Sequence, residues 1–223
     1  MSSKNILWKL RYQVISQLLF YLALMTLSRN EKQIQTRQHL IEAGFALISK
    51  FGYNAVSIRN LSKQAGYTQG AFYSNFNNKE EFLLELMQLQ FAKENLQLQE
   101  IFTSTPSNTE QLIDSLRQWL TAFFTNDEWL KISIELQLFA ARDITFAEEY
   151  QKVWKTHQQE VTKIMNQFFS LTEITEPDDY DSIVIELVSL SYGLALQYMI
   201  FKDDIDHYIN IFINTLLKRL GTI

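Results

Sequence analysis

Apolar side chains return at intervals of three and four along almost the whole chain. That spacing marks amphipathic helices, because 3.6 residues make one turn. A period of two, the mark of a half-buried strand, has no credible run, and no internal repeat is present. The pattern predicts helices over about 31–51, between Ser57 and Gly66, and over 69–74, 79–102, 109–125, 127–142, 145–171, 179–201 and 204–220. In the first, Leu40, Gly44, Leu47, Ile48 and Phe51 form the apolar stripe and Gly52 ends it. Two prolines and six glycines in 223 residues agree with long helices, since strands joined by turns need more of both. The fold class is all-α.

The most informative stretch runs from Ser57 to Phe76 and reads as two short helices around a tight turn. Ser57 is a good N-cap, because its hydroxyl accepts from amides left free in the first turn. Ile58, Leu61 and Ala65 give one apolar face. Gly66 stands where the helix must stop and takes left-handed backbone angles at little cost. Thr68 caps the second helix, and Phe72 and Phe76, four apart, point back to the first. Thr68, Gln69, Tyr73 and Ser74 remain outside, with Gly70 and Ala71 too small to block approach. A polar, uncharged short helix of this kind suits a helix-turn-helix entering a major groove. A helical hairpin inside a core would not need so polar a second helix.

Net charge is −5, yet its distribution reverses the first impression. Residues 29–79 hold seven Lys/Arg against two Glu, and residues 80–223 hold ten Lys/Arg against 23 Asp/Glu. A basic head on an acidic body suits a protein that grips phosphates with one end. There is no cysteine, which excludes disulfides and thiolate metal sites. His39, His157 and His207 are too scattered for a zinc motif. No phosphate-binding glycine loop, nucleophile elbow or nucleophile–base pair supports an enzyme. No cofactor and no metal are expected.

The segment from Thr36 to Leu86 resembles the DNA-binding domain of the TetR family of bacterial transcriptional regulators. The matching features are Thr36-Arg37, the helix to Phe51-Gly52-Tyr53, Ser57-Ile58, Ala65-Gly66-Tyr67-Thr68, Gly70-Ala71-Phe72-Tyr73, Phe76 and Lys79-Glu80-Glu81-Phe82-Leu83. One departure is Asn75, where the family commonly has histidine; an asparagine can still donate to a phosphate. The resemblance implies a helix-turn-helix head over 32–92 and a helical regulatory and dimerisation body over 93–223, with a long fourth helix between them. The DNA-contact candidates are Thr36, Arg37, Ser57, Arg59, Thr68, Gln69, Gly70, Ala71, Tyr73, Ser74, Asn75 and Lys79. Thr36 and Arg37 would reach the sugar-phosphate backbone. Asn78 caps the fourth helix with Glu81 three residues on, a capping-box arrangement. Lys79 beside those free amides would favour a phosphate.

In the body, Thr103 to Asn108 reads as a linker and Thr172 to Asp179 as a polar turn around Pro177. Lys218 and Arg219 oppose the last helix dipole, and Gly221 stops the helix. Ile183 to Ile200 is apolar all round and reads as buried on every side. The last helix adds Ile205, Tyr208, Ile209, Phe212, Leu216 and Leu220, more than one small body covers. The resemblance implies a two-fold dimer through these two helices, with Leu187, Leu190, Leu194, Tyr198, Ile205, Ile209, Phe212 and Leu216 at the interface. It also implies a ligand cavity, for which the candidates are Trp119, Phe123, Trp129, Glu135, Phe139, Trp154, His157 and Gln197. A Glu135 facing that cavity would want a cationic or donor-rich ligand. A Glu135 paired with Lys131 or Arg142 would select nothing.

Residues 1–28 are atypical. Lys4, Lys9 and Arg11 precede an apolar run, Leu18 to Met25, which imitates a signal peptide. It lacks a small-x-small cleavage site and is too short to span a bilayer. The expectation is that translation begins at Met25, leaving 199 residues (223 less 24). An extra amphipathic helix and a membrane anchor are the other readings. The whole reads as a cytoplasmic, homodimeric repressor, not an enzyme and with no membrane partner. A small hydrophobic ligand would release it from a pseudo-palindromic double-stranded operator. The alternative is a ligand-independent, architectural DNA-binding protein.

Overall fold

The first four helices each begin at a side chain that accepts from their free amides. Ser28 accepts from the Glu31 amide, Ser57 from Asn60, Thr68 from Ala71 and Asn78 from Glu81. The helices are α1 (Arg29–Phe51), α2 (Ile58–Gln64), α3 (Gln69–Tyr73) and α4 (Lys79–Thr103). A short 3₁₀ turn, Tyr53–Ala55, joins α1 to α2. The body adds α5 (Thr109–Phe124), α6 (Asp127–Arg142), α7 (Ile144–Leu171), α8 (Tyr180–Phe201) and α9 (Ile205–Arg219). The structure, a computed structural model, describes residues 28–103, 109–171 and 179–219, and no strand occurs among them. The leading segment up to residue 27, the linker at 104–108, the turn around Pro177, and the helix stop at Leu220 and Gly221 lie outside the described residues.

In the head, the two turns at positive φ have glycine, Gly52 at 79° and Gly66 at 80°, while α8 ends on Lys202 at φ 51°. In the head, α1, α2 and α3 close on Leu40, Ile48, Leu61, Phe72 and Phe76. The first turns of α4 complete this core with Phe82, Leu83 and Leu86. Phe72 and Phe76 meet with ring centroids 5.3 Å apart, and Phe82 stands edge-on to Phe76. In the body, α4 continues along α7 while α5, α8 and α9 pack together. The seam between head and body is α1 on α6, with the Tyr53 ring on Phe139, 4.7 Å between centroids.

The helix expected to be buried on every side is not. On α8, Val184, Leu187, Val188, Leu194 and Ala195 are buried, but Ile185, Ile200 and Phe201 are more than half exposed. By length and composition alone α8 passes as a membrane span, although it packs on α5, α6, α7 and α9. The eight residues expected at a dimer interface divide as well. Leu187, Leu194, Ile209, Phe212 and Leu216 are buried within this chain, and Leu190, Tyr198 and Ile205 are half-buried. An amphipathic helix spends its best-packed stripe on its own core first. The large apolar residues that α8 and α9 leave open are Ile185, Ile200, Phe201 and Ile211.

Candidate functional site

The outer face of the helix-turn-helix is built by local hydrogen bonds. Thr68 and Ser57 hold their own helix starts through their hydroxyls. Ser74 Oγ donates to the Gly70 carbonyl at 2.8 Å, and Asn75 Nδ2 donates to the Ala71 carbonyl at 2.8 Å. Phe72 is fully buried and fixes the rotation of α3. That rotation leaves Gln69, Gly70, Tyr73 and Ser74 exposed, with Ala71 half-buried between them. Arg59 and Ser57 are exposed at the start of α2, and Lys63 at its end. Tyr67, in the turn, meets His39 Nδ1 through its hydroxyl at 2.9 Å.

Four of the DNA-contact candidates spend their polar groups inside the protein. Arg37 makes a two-pronged ion pair with Glu85, donates to the Asn75 carbonyl, and lies 4.1 Å above the Phe76 ring. It fastens α1 to α4 and to the end of α3 instead of reaching outward. Lys79 donates to the carbonyls of Tyr53, at 2.7 Å, and Val56, and its ammonium sits 3.9 Å over the Tyr53 ring. Burial accordingly lowers its pKa. Both cations are drawn inward because carbonyls, a carboxylate and ring faces are offered there. Asn75 is turned to its own helix, and its buried Oδ1 has no hydrogen-bond partner among the described residues. Thr36 is half-buried and donates to the Lys32 carbonyl. At the start of α4 the amide accepted by Glu81 is that of Asn77, so only the Asn78 half of the expected capping box forms.

A cavity of about 90 Å³ lies in the body between α4, α5, α7, α8 and α9. Three of its expected lining residues, Trp119, Phe123 and His157, do line it. Trp129, Glu135, Phe139, Trp154 and Gln197 do not. Trp129 is 1% exposed and donates from Nε1 to the Tyr192 hydroxyl at 3.1 Å, behind the cavity wall. Trp154 stacks on Tyr150 and stands edge-on to Phe91 in the same layer. Phe139 belongs to the head–body seam. Glu135 stands there too: a Cβ added at Gly52 would lie 3.0 Å from its carboxylate. Gln197 is exposed on α8.

The polar groups in the cavity wall are Glu94, His157, Ser191 and Tyr192. Sequence reading missed Glu94, Ser191 and Tyr192. Glu94 follows Lys93 and precedes Asn95, so the local pattern is that of a solvated helix face. In the structure Glu94 is 4% exposed, and burial raises its pKa to about 7. Burial lowers His157 to about 4 and lifts Tyr192 well above its usual value. His157 stacks on Phe91 at 3.9 Å, and its buried Nδ1 has no hydrogen-bond partner among the described residues.

Residues 40–86 match the family described as bacterial regulatory proteins, tetR family. An uncharacterised HTH-type transcriptional regulator of Bacillus subtilis, YwcC, is 36% identical over 73 residues, 31% of this chain and 33% of that one. The HTH-type transcriptional repressor AcnR of Corynebacterium efficiens is 24% identical over 134 residues, 60% of this chain and 64% of the repressor. The chain thus spans less than two thirds of the length of either curated relative. The same fold occurs in a putative TetR-family regulator from Mesorhizobium loti, with TM-score 0.67 at 14% identity over 86% of this chain and 98% of that one. It occurs in a putative regulator from Saccharomonospora viridis in complex with choline, with TM-score 0.60 at 19% identity over 82% and 95%. It occurs again in FadR from Bacillus subtilis in complex with stearoyl-CoA, with TM-score 0.65 at 16% identity over 83% and 98%. Residues 40–86 thus carry the domain of the tetR family of bacterial regulatory proteins, and the chain as a whole has the fold of the TetR-family regulators it resembles.

Proposed function

We propose that the chain is a DNA-binding transcriptional regulator, a homodimeric repressor released from its operator by a small hydrophobic ligand. The observation that carries this is the face of α3. Its apolar side, Phe72, is locked in the head core, and Gln69, Gly70, Tyr73 and Ser74 stand exposed and without a charge among them. Such a face reads base edges, while Arg59, Lys63 and Lys32 close by supply phosphate contacts. Lys32 takes the place expected of Arg37 and Lys79, being exposed one turn before Thr36. Two heads on a two-fold dimer would reach major grooves about 34–36 Å apart. The exposed Ile185, Ile200, Phe201 and Ile211 support a dimer through α8 and α9. The family's repressor in Corynebacterium efficiens supports repression. Choline and stearoyl-CoA in the two structural neighbours support a ligand in the body, and differ so much that the fold does not choose the ligand. The protein would work in the cytoplasm, where the chromosome is.

Selection from a random duplex pool tests the proposal. The expected product is a pseudo-palindrome with two half-sites. Gln69→Ala should relax one position in each half-site by about 1–3 kcal/mol, if the contact is bidentate. A pool with no enriched sequence, or one without two-fold symmetry, overturns it.

A further inference from the structure

Glu94 is a carboxyl group inside the body with little to hold its charge. It accepts from Gln90 Nε2 at 3.0 Å, and the cation that acts on it is Lys93, exposed and adjacent on its own helix. A buried carboxylate needs a cation or several donors, or it keeps its proton. Glu94 lies in the wall of the body cavity, so the missing counter-charge has a place to arrive. The other titratable groups in that wall are His157 from α7 and Tyr192 from α8; α5 and α9 contribute apolar side chains only. Neither brings a positive charge. His157 is held neutral down to about pH 4, and the Tyr192 hydroxyl already accepts from Trp129.

We propose that the cavity takes a cationic amphiphile, an amine whose ammonium head pairs with the Glu94 carboxylate while its apolar body lies along α5, α8 and α9. Glu94 lines the cavity and Glu135 does not. An anionic head would put a second negative charge in a dry site. A neutral head would leave the Glu94 carboxylate without a counter-charge and gain only a hydrogen bond. The faces of Trp119, Phe123 and Tyr192 attract a cation as well. The proposal deepens the reading of the body as the ligand-controlled half of a repressor and rests on it.

Binding of an ammonium releases the proton that Glu94 otherwise carries. Affinity should therefore be flat above about pH 7, the pKa of Glu94. Below it, affinity should fall about tenfold per pH unit. The full-length protein is titrated with decylamine, decanol and decanoate, each below its micelle concentration, and followed by tryptophan fluorescence. At about pH 8 decylamine should bind at least ~10-fold tighter than either companion. Glu94→Gln, which keeps shape and removes charge, should abolish that preference and the pH dependence.

Decanoate binding as tightly as decylamine overturns the proposal. So does preference retained in Glu94→Gln, or a failure of all three probes to bind. Release of the selected duplex is measured in parallel. Glu94-dependent amine binding without release keeps the ligand class and removes the ligand-released repressor. Release by decanoate does the reverse.

Discussion

Lys79 illustrates how a single side chain can look like a ligand contact and serve as a rivet. Its ammonium closes the turn between α1 and α2 by donating to two carbonyls, where desolvation already disfavours the charge. Lys79→Ala should cost the head about 1–3 kcal/mol, from two charge-assisted hydrogen bonds. It should leave the salt slope of DNA binding as it was. Arg59→Ala should do the opposite: unchanged stability and a slope lower by about 1. Thermal unfolding and binding isotherms over a salt series separate the two. The difference was illegible in the sequence for a geometric reason. The carbonyls that hold Lys79 are 26 and 23 residues upstream, and the carboxylate that holds Arg37 is 48 residues downstream. Neighbours in sequence say nothing about them. Glu94 escaped notice for the same reason, since only the packing of α5, α7 and α8 shows that its side chain is dry.

At the scale of elements, what is local was legible. The helix starts at Ser57, Thr68 and Asn78 and the glycine stop at Gly66 depend on residues within four positions, and the structure has each of them. What depends on distant packing was not. The sequence marks α8 as apolar all round without saying which side meets its own chain and which stays open. Gly44 is the clearest case of a close approach. A Cβ there would sit 2.2 Å from Phe82 Cζ, and Phe82 is wholly buried among Phe72 and Phe76. Alanine normally favours a helix interior over glycine. Here Gly44→Ala should lose about 1–3 kcal/mol, because α1 must back away from α4. A denaturant midpoint that stays level or rises would show that Phe82 has room the structure does not reveal.

For the whole molecule, the proposed dimer rests on the open apolar residues of α8 and α9. Ile200 is 65% exposed and is not one of the residues that line the cavity. Ile200→Asp should therefore spare the fold and split a dimer built on this face. Sedimentation should then give a monomer, and operator affinity should fall by at least ~10² as the second half-site is lost. A dimer that survives the substitution would place the interface elsewhere.

One helix, α4, belongs to both halves. Its first turn is riveted at Lys79 to the Tyr53–Val56 turn, and its fifth turn carries Glu94. A rise of 1.5 Å per residue sets these two points about 22 Å apart on one uninterrupted rod. Such a rod is a lever arm. A tilt of about five degrees about its cavity end carries the other end about 2 Å. Hydrogen bonds to a base edge fail with a stretch of about 0.5 Å. In the proposed repressor, a guest beside Glu94 that shifts the rod by a small fraction of its own length would move the head by several times what a base contact tolerates.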